Sequence, residues 1–308
     1  MSTLVDRGAV WPALPLAEWQ DTYATLHRWL QIVGKTRLAY APMVNHWWQV
    51  TLYISARGLT TSPIPIHDRD FEIEFDFFEH RLITRTSDGV LRTMDLVPCT
   101  VAEFYNDYRR MLRSLDIEPR IWAVPSELAD TLPFPDDHVH GAYDADAAQR
   151  CWRILMEADR VLKEFRSSFI GKCSPSHFFW GAFDLACTRF SGRPAPLHPG
   201  GVPNLPDRVV REAYSHECIS AGWWPGTIKG QLDEPAFYAY AYPEPPGCSG
   251  APIQPEGAYY HDELHEWVLP YEAMRTAADP DAHLLAFLES TYAVAANLGK
   301  WDRTALER

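Results

Sequence analysis

The 308-residue sequence contains no CxxC, no glycine-rich phosphate loop, no GxSxG elbow and no HExxH helix. These gaps leave no signature for a dithiol redox motif, a nucleotide cradle, a hydrolase nucleophile or a zincin. Uninterrupted apolar runs of about 18 residues are also missing, so no membrane-spanning helix is expected. Clustered basic residues are lacking: 28 Lys and Arg face 41 Asp and Glu, a formal charge of −13. That balance argues against a nucleic-acid partner, whose phosphates demand grouped cations. The N-terminus has no charged segment leading into an apolar core, and so does not read as an export signal. Six widely spaced cysteines then fit reduced thiols in a cytoplasmic protein, with Cys151 and Cys187 as core fillers.

Aromatic residues are plentiful, with 12 Trp and 14 Tyr. Such side chains join an apolar body to a polar tip and suit the walls of a small-molecule pocket. Residues 16–33 carry Trp19, Tyr23, Leu26, Leu30 and Val33 at helical spacing. Residues 45–54 are rich in β-branched and aromatic types and predict a strand, and 71–79 alternate as a half-buried antiparallel strand. Asp88-Gly89 marks a hairpin. Thr100 and Glu103 form a capping box ahead of a helix through residue 115.

The segment NHWWQVTLYISARGLTTSPIPIH, from Asn45 to His67, has a counterpart 131 residues later, SHFFWGAFDLACTRFSGRPAPLH. The offset matches His46 to His177, Trp47 and Trp48 to Phe178 and Phe179, and Pro63, Pro65 and His67 to Pro194, Pro196 and His198. Helical patterns at 145–168 and 280–297 bracket the second copy. The pattern therefore predicts an α+β fold of two tandem helix–antiparallel strands–helix repeats sharing a core around a pseudo-twofold axis. The repeats span 1–123 and 145–308, joined by a solvated linker at 124–144. The second holds an inserted loop at about 199–235, where a long insertion suggests function.

Within that insert, His216 and Glu217 are candidates for acid–base catalysis, provided the backbone turns so that both reach one site. His177 and Asp184 are further catalytic candidates. Period-two alternation puts Asp184 mid-strand among apolar neighbours, where it needs a partner, and Arg189 or Arg193 is the nearest cation in sequence. Arg189, Arg193, His198, Trp180, Tyr214, Trp223 and Trp224 are expected to bind substrate, the tryptophans as walls. Gly181 suggests a close approach by a ligand or another backbone. Whether a metal or any other cofactor is bound stays open at this stage; His46, His177, His67 and His198 would be the ligands. DDHVHGAYD (136–144) and YYHDELHEW (259–267) read as surface turns.

The runs NHWW, GLTTSPIP, HFFWG, RFSGR, YSHE and YAYPEP resemble a bacterial family of uncharacterised proteins, defined only as a domain of unknown function. The likeness spans nearly the whole chain and implies a soluble protein, with no activity attached. The residues themselves point to a soluble small-molecule enzyme with an aromatic-walled pocket, His/Glu acid–base groups and an arginine contact to an anion. A non-catalytic ligand-binding protein, or a metal-dependent hydrolase or oxygenase using paired histidines, are the alternatives.

Overall fold

A computed structural model describes residues 10–227 and 230–308. The first nine residues, part of the stretch read as lacking an export signal, and residues 228–229 of the insert lie outside the described residues. The chain opens with α1 (Leu16–Tyr40), then a 3-10 turn (Asn45–Val50) and strands β1 (Tyr53–Ile54), β2 (Gly58–Thr60), β3 (Ile64–Ile66), β4 (Arg69–Asp76), β5 (Arg81–Thr86) and β6 (Leu91–Asp95). Helix α2 (Val101–Arg113) closes the first half, and its N-cap Thr100 and Glu103 form the expected capping box. The second half has α3 (Ala145–Ser167), β7 (His177–Phe179), β8 (Asp184–Pro194), α4 (Asp207–Ala213), β9 (His216–Trp224) and β10 (Ala236–Tyr242). It ends with β11 (Tyr259–His261), β12 (Glu266–Pro270), α5 (Tyr271–Arg275), α6 (Pro280–Leu298) and α7 (Arg303–Leu306).

The fold is α+β. Each half contributes a six-stranded antiparallel sheet, ordered β1-β2-β4-β5-β6 with β3 on β4, and β11-β12-β10-β9-β8-β7. An isolated antiparallel pair between Leu52 and Phe178, with two hydrogen bonds of 2.9 Å, joins the two sheets at their edges. One hydrophobic cluster runs through both halves, drawing Trp29 and Leu30 from α1, Phe75 from β4, Leu155 from α3, and Trp223, Phe237 and Trp267 from the second sheet. Helices cover that face of the sheets, and the opposite face of the second sheet is where polar residues gather.

Helix α1 lies at the centre and is buried on all sides from Thr25 to Arg37. A fully enclosed helix is ordinarily apolar all round. This one instead carries His27, Arg28, Gln31, Lys35 and Arg37 inside, and each requires a partner there. The segment 124–144 supplies several, so it is no solvated linker. Asp137, fully buried, accepts backbone N–H groups from Val139 and His140 and pairs with Arg28 Nε at 3.1 Å. Within DDHVH, Asp137 is thus an internal anchor, while Asp136, His138 and Val139 are exposed as a surface turn requires. None of the described helices is long and apolar enough to cross a membrane.

Three further sequence expectations change. Residues 45–50 are a 3-10 turn, with His46 and Trp47 at φ 60° and 61°. Tertiary contacts overrode the strand propensity, because the His46 ring reaches Ala213 O at 2.9 Å and Lys172 Nζ at 2.6 Å. The HFFWGAFD run is a hairpin rather than a single strand: His177 pairs with Ala186 and Phe179 with Asp184, and the chain turns through Phe183 at φ 60°. The insert, finally, is more than a loop. Its α4 and β9 are regular, and β9 sits between β8 and β10 in the sheet. Both halves do show helix, antiparallel strands, helix in that order, but β9 belongs to the order instead of standing outside it.

Candidate functional site on the outer face of the second sheet

Register decides which side chains meet. On β9, Ile219, Ala221 and Trp223 enter the core cluster, as do Phe237 and Ala239 on β10 and Leu185 and Cys187 on β8. Their alternates face outward together. The pairs Ala186–Gly222–Tyr238, Thr188–Ser220–Tyr240 and Phe190–Cys218–Tyr242 run across β8, β9 and β10. The centre of this face is lined by small residues, Ala186, Thr188, Ser220 and Gly222. Around it stand Phe179, Asp184, Tyr238 and Tyr240, with Glu266 at the start of β12. Gly222 leaves no room for a side chain in this row, because a Cβ there would fall against Leu185 O and lie 2.8 Å from the Tyr238 hydroxyl.

Three carboxyls share this region. Asp184 follows the β7–β8 turn and accepts a short hydrogen bond from the Tyr238 hydroxyl. Glu127 packs its carboxylate on the open face of Gly181, where a Cβ would meet Oε1 at 2.0 Å. The close approach expected at Gly181 therefore comes from a side chain. All three retain partial accessibility while enclosed within the chain, as groups lining a crevice do. Burial raises Asp184 from 3.8 to about 6, against the lowering hydrogen bond from Tyr238. Burial first, and then the Asp184 charge, raise Glu127 from 4.5 to about 7 and Glu266 from 4.5 to about 8.

The first sheet handles its outer carboxylates differently. There Glu74 meets Arg85 at 2.7 Å and Asp76 meets Arg57 at 2.6 Å. Among the described residues, none of Asp184, Glu127 and Glu266 has an ion-pair partner within 4.0 Å. The nearest relief is Lys35, which lowers Glu127 electrostatically and is itself pushed by burial from 10.5 to about 8.

Helix α1 holds this arrangement in place. Gln31 clamps the Ser126 backbone, accepting its N–H at 2.7 Å and donating to its carbonyl at 2.9 Å, and Lys35 Nζ donates to the Ser126 hydroxyl at 2.7 Å. Glu127, next in the chain, is thereby fixed in the left-handed region at φ 60°. A non-glycine residue held there by its surroundings is a frequent mark of a functional position. His27 Nε2 lies 3.0 and 2.9 Å from the Trp180 and Gly181 carbonyl oxygens, which pins the turn leading into Asp184. Carbonyls only accept, so this nitrogen carries the hydrogen. Burial lowers His27 to about 4, and the ring is neutral at physiological pH.

Several predicted site residues meet on this face. His177 stands beside Trp48 and Tyr53, with ring centroids 5.5 Å from each, and its Nδ1 is buried without a partner among the described residues. Burial, then Arg37 and Arg166, lower it to about 3. His216 lies near His46, at 5.7 Å between centroids. From the insert, His198 stacks on Tyr214 at 4.9 Å, and the Tyr214 and Tyr240 hydroxyls are 2.7 Å apart. Trp224 is half-buried against Leu232, Ala236 and Val268.

Other expectations fail. Glu217 faces away from His216 because β9 continues straight through both, and it binds Arg193 at 2.6 Å and Ser191 at 2.9 Å. Arg193 is exposed and also donates to Gly299 O at 2.6 Å. Arg189 is buried on the core side, where it donates to Phe165 O, so neither arginine pairs with Asp184. Trp223 belongs to the core. Trp180 is buried against Gly34 with its Nε1–H on Val50 O at 2.6 Å. The paired histidines do not converge. His67 is exposed at the β3–β4 turn, Trp48 contacts both His46 and His177, and His198 belongs to the tyrosine stack. Among the described residues no group of three or more His, Cys, Asp or Glu is placed to hold a metal ion. A groove of about 190 Å³ lined by Glu217, Tyr242, Glu244, Leu298 and Trp301 is concave but contains none of Asp184, Glu127 and Glu266.

Sequence reasoning missed Glu127, Lys35, Tyr238, Tyr240 and Glu266. One signal was present: FYAYAY places a tyrosine at every second position of β10, and therefore on one face. Tyr238→Phe removes the donor to Asp184 while keeping the ring. The ionisation midpoint of Asp184 is then expected to move above 6, followed by carbon-13 NMR of the aspartate carboxyls. A midpoint that stays in place would separate Tyr238 from Asp184.

Residues 11–308 match the model of a family of unknown function, DUF5996, and the chain belongs to that family. No match is found among curated proteins or among solved structures.

Proposed function

We propose that this family member is an acid–base enzyme acting on a small organic molecule bound over the outer face of the second sheet. The observation that carries this reading is the set of three enclosed carboxyls, raised to about 6, 7 and 8 and left without an ion-pair partner among the described residues. Burying acids without counter-cations costs stability, and such clusters concentrate where chemistry needs them. Groups whose environments push their pKa values apart divide into acid and base. Asp184, lowest of the three, is the base at neutral pH, and its carboxylate is positioned by the Tyr238 hydroxyl. Glu266, protonated at neutral pH, is the acid. The chemistry this pair supports is transfer of a proton between two positions of one substrate, or activation of a water against it. His177, neutral and with a free Nδ1, offers a hydrogen bond that orients the substrate. These roles replace the His216–Glu217 pair.

A non-catalytic binding protein is the second reading, favoured by the Tyr214–Tyr240 pair and the unpartnered His177 nitrogen, which suit recognition as well as turnover. We place the protein in the cytoplasm, a reading supported by six unpaired cysteines, and take no nucleic acid as partner in view of the −13 charge. A thermal-shift screen of small carbonyl compounds, amines and carboxylic acids tests the proposal, with stabilising compounds then followed by proton NMR in heavy water. Hydrogen–deuterium exchange or conversion by the wild type, lost in Asp184→Asn and Glu266→Gln, is the expected result. Binding without either assigns the non-catalytic reading. Stabilisation that survives both substitutions contradicts the site.

A further inference from the structure

A second reactive group lies on the opposite face of β8. Residues 172–174 continue the line of β7 along β8: Ser174 N–H donates to Thr188 O at 2.8 Å and Phe190 N–H to Lys172 O at 2.9 Å. Cys173 pairs there with Arg189 and lies diagonal to Cys187, and the two sulfurs are 3.6 Å apart. A disulfide needs about 2.05 Å, so an approach of roughly 1.5 Å separates contact from bond. Cys187 is buried, whereas Cys173 retains partial access to solvent.

The surroundings favour an anion at Cys173. Arg189 is fully enclosed, its guanidinium 3.4 Å from the Phe165 ring centroid and 4.2 Å from that of Tyr292. It meets Glu289 only at 3.5 Å, and among the described residues its Nε and Nη1 have no hydrogen-bond partner, nor has Arg166 Nε. Buried donors left unmatched favour a nearby acceptor. We propose that Cys173 and Cys187 form an oxidisable dithiol, in which Cys173 is the peroxide-reactive thiolate and Cys187 the resolving thiol. The hydrogen bond with Cys187, followed by the charges of Arg166 and Arg189, outweighs burial and brings Cys173 down to about 7, while burial keeps Cys187 well above its ordinary range.

The oxidant is a hydroperoxide. The Cys173 thiolate attacks its outer oxygen, the O–O bond breaks, and a sulfenic acid forms as the departing alkoxide or hydroxide takes a proton from solvent. The Cys187 thiol then attacks the sulfenic sulfur. The S–O bond breaks, and water leaves with the thiol proton. Two thiols have given up two electrons and two protons, and the hydroperoxide has become water and an alcohol or a second water.

Both cysteines fall in one tryptic peptide, residues 173–189, which makes the test direct. The full chain is exposed to equimolar hydrogen peroxide, capped with N-ethylmaleimide and digested without reductant. The 173–189 peptide is expected to lose two hydrogens and carry no cap, while Cys99, the other half-buried thiol, stays capped. In Cys187→Ser, dimedone is expected to label Cys173. Uncrosslinked 173–189 after Cys99 has been oxidised, or dimedone labelling elsewhere only, overturns the proposal. The unmodified protein gives an independent readout. Iodoacetamide should alkylate Cys173 with a midpoint at about pH 7, and a midpoint near 8.5, that of an ordinary thiol, overturns the thiolate assignment.

Discussion

Asp184→Asn is expected to stabilise the protein at pH 8 and to abolish its proposed activity. In the folded chain Asp184 holds its proton up to about 6, against 3.8 for a free side chain. Between those values the unfolded state releases the proton first, so the folded state binds more protons and stability falls as pH rises. The loss is absent below about pH 4, builds up to about pH 6 and is constant above, at roughly 3 kcal/mol for this one group. Asparagine has no proton to lose there, and its Oδ1 still accepts from Tyr238. The variant should therefore match the wild type near pH 4 and unfold at higher denaturant near pH 8, by about 3 kcal/mol. Removing the Asp184 charge should also lower Glu127 and Glu266, which it helps to raise. A variant less stable than wild type at pH 8 would instead mark Asp184 as a structural ion. The arginine pairing expected from sequence implied such a role, and the geometry does not supply it.

Asp137→Ala is expected to act through stability alone, with a loss of about 3 kcal/mol measured by denaturant unfolding. Truncation leaves Arg28, only 4% exposed, without its buried counter-ion, and frees two backbone N–H groups. Asp130, half-exposed at 2.7 Å from Arg28, retains part of the pairing and holds the loss to the low end for a broken buried pair. The segment so anchored is the one that carries Glu127 to Gly181. A loss under 1 kcal/mol would restore 124–144 to the status of a linker.

What could be read from sequence was local. The Thr100–Glu103 capping box, the Asp88-Gly89 turn and the long apolar-periodic helices depend on neighbours three or four residues away, and the structure has them. Residues 45–50 and 177–184 were misread because positive φ at His46, Trp47 and Phe183 is imposed by packing against distant segments. β9 was taken for a loop since its sequence, HECISAGWW, alternates weakly, and its strand state comes from pairing with β8 and β10 on both sides. The same holds for the site. Asp184 stood out as a buried acid, but its hydrogen-bond donor lies 54 residues on. Glu127 and Glu266 sat in stretches read as linker and surface turn. Nothing local reports that α1 clamps one and that register turns the other toward Tyr238.

Infrared titration of the protonated carboxyl band, comparing wild type with Asp184→Asn, Glu127→Gln and Glu266→Gln, bears most directly on the claim that this face holds unpaired, enclosed acids. Asp184, Glu127 and Glu266 should remain largely protonated at pH 5.5 and ionise in steps at about 6, 7 and 8, with one step missing from each variant and the remaining two moved down in Asp184→Asn. A spectrum in which every side-chain carboxyl is already ionised at pH 5.5 would contradict the account.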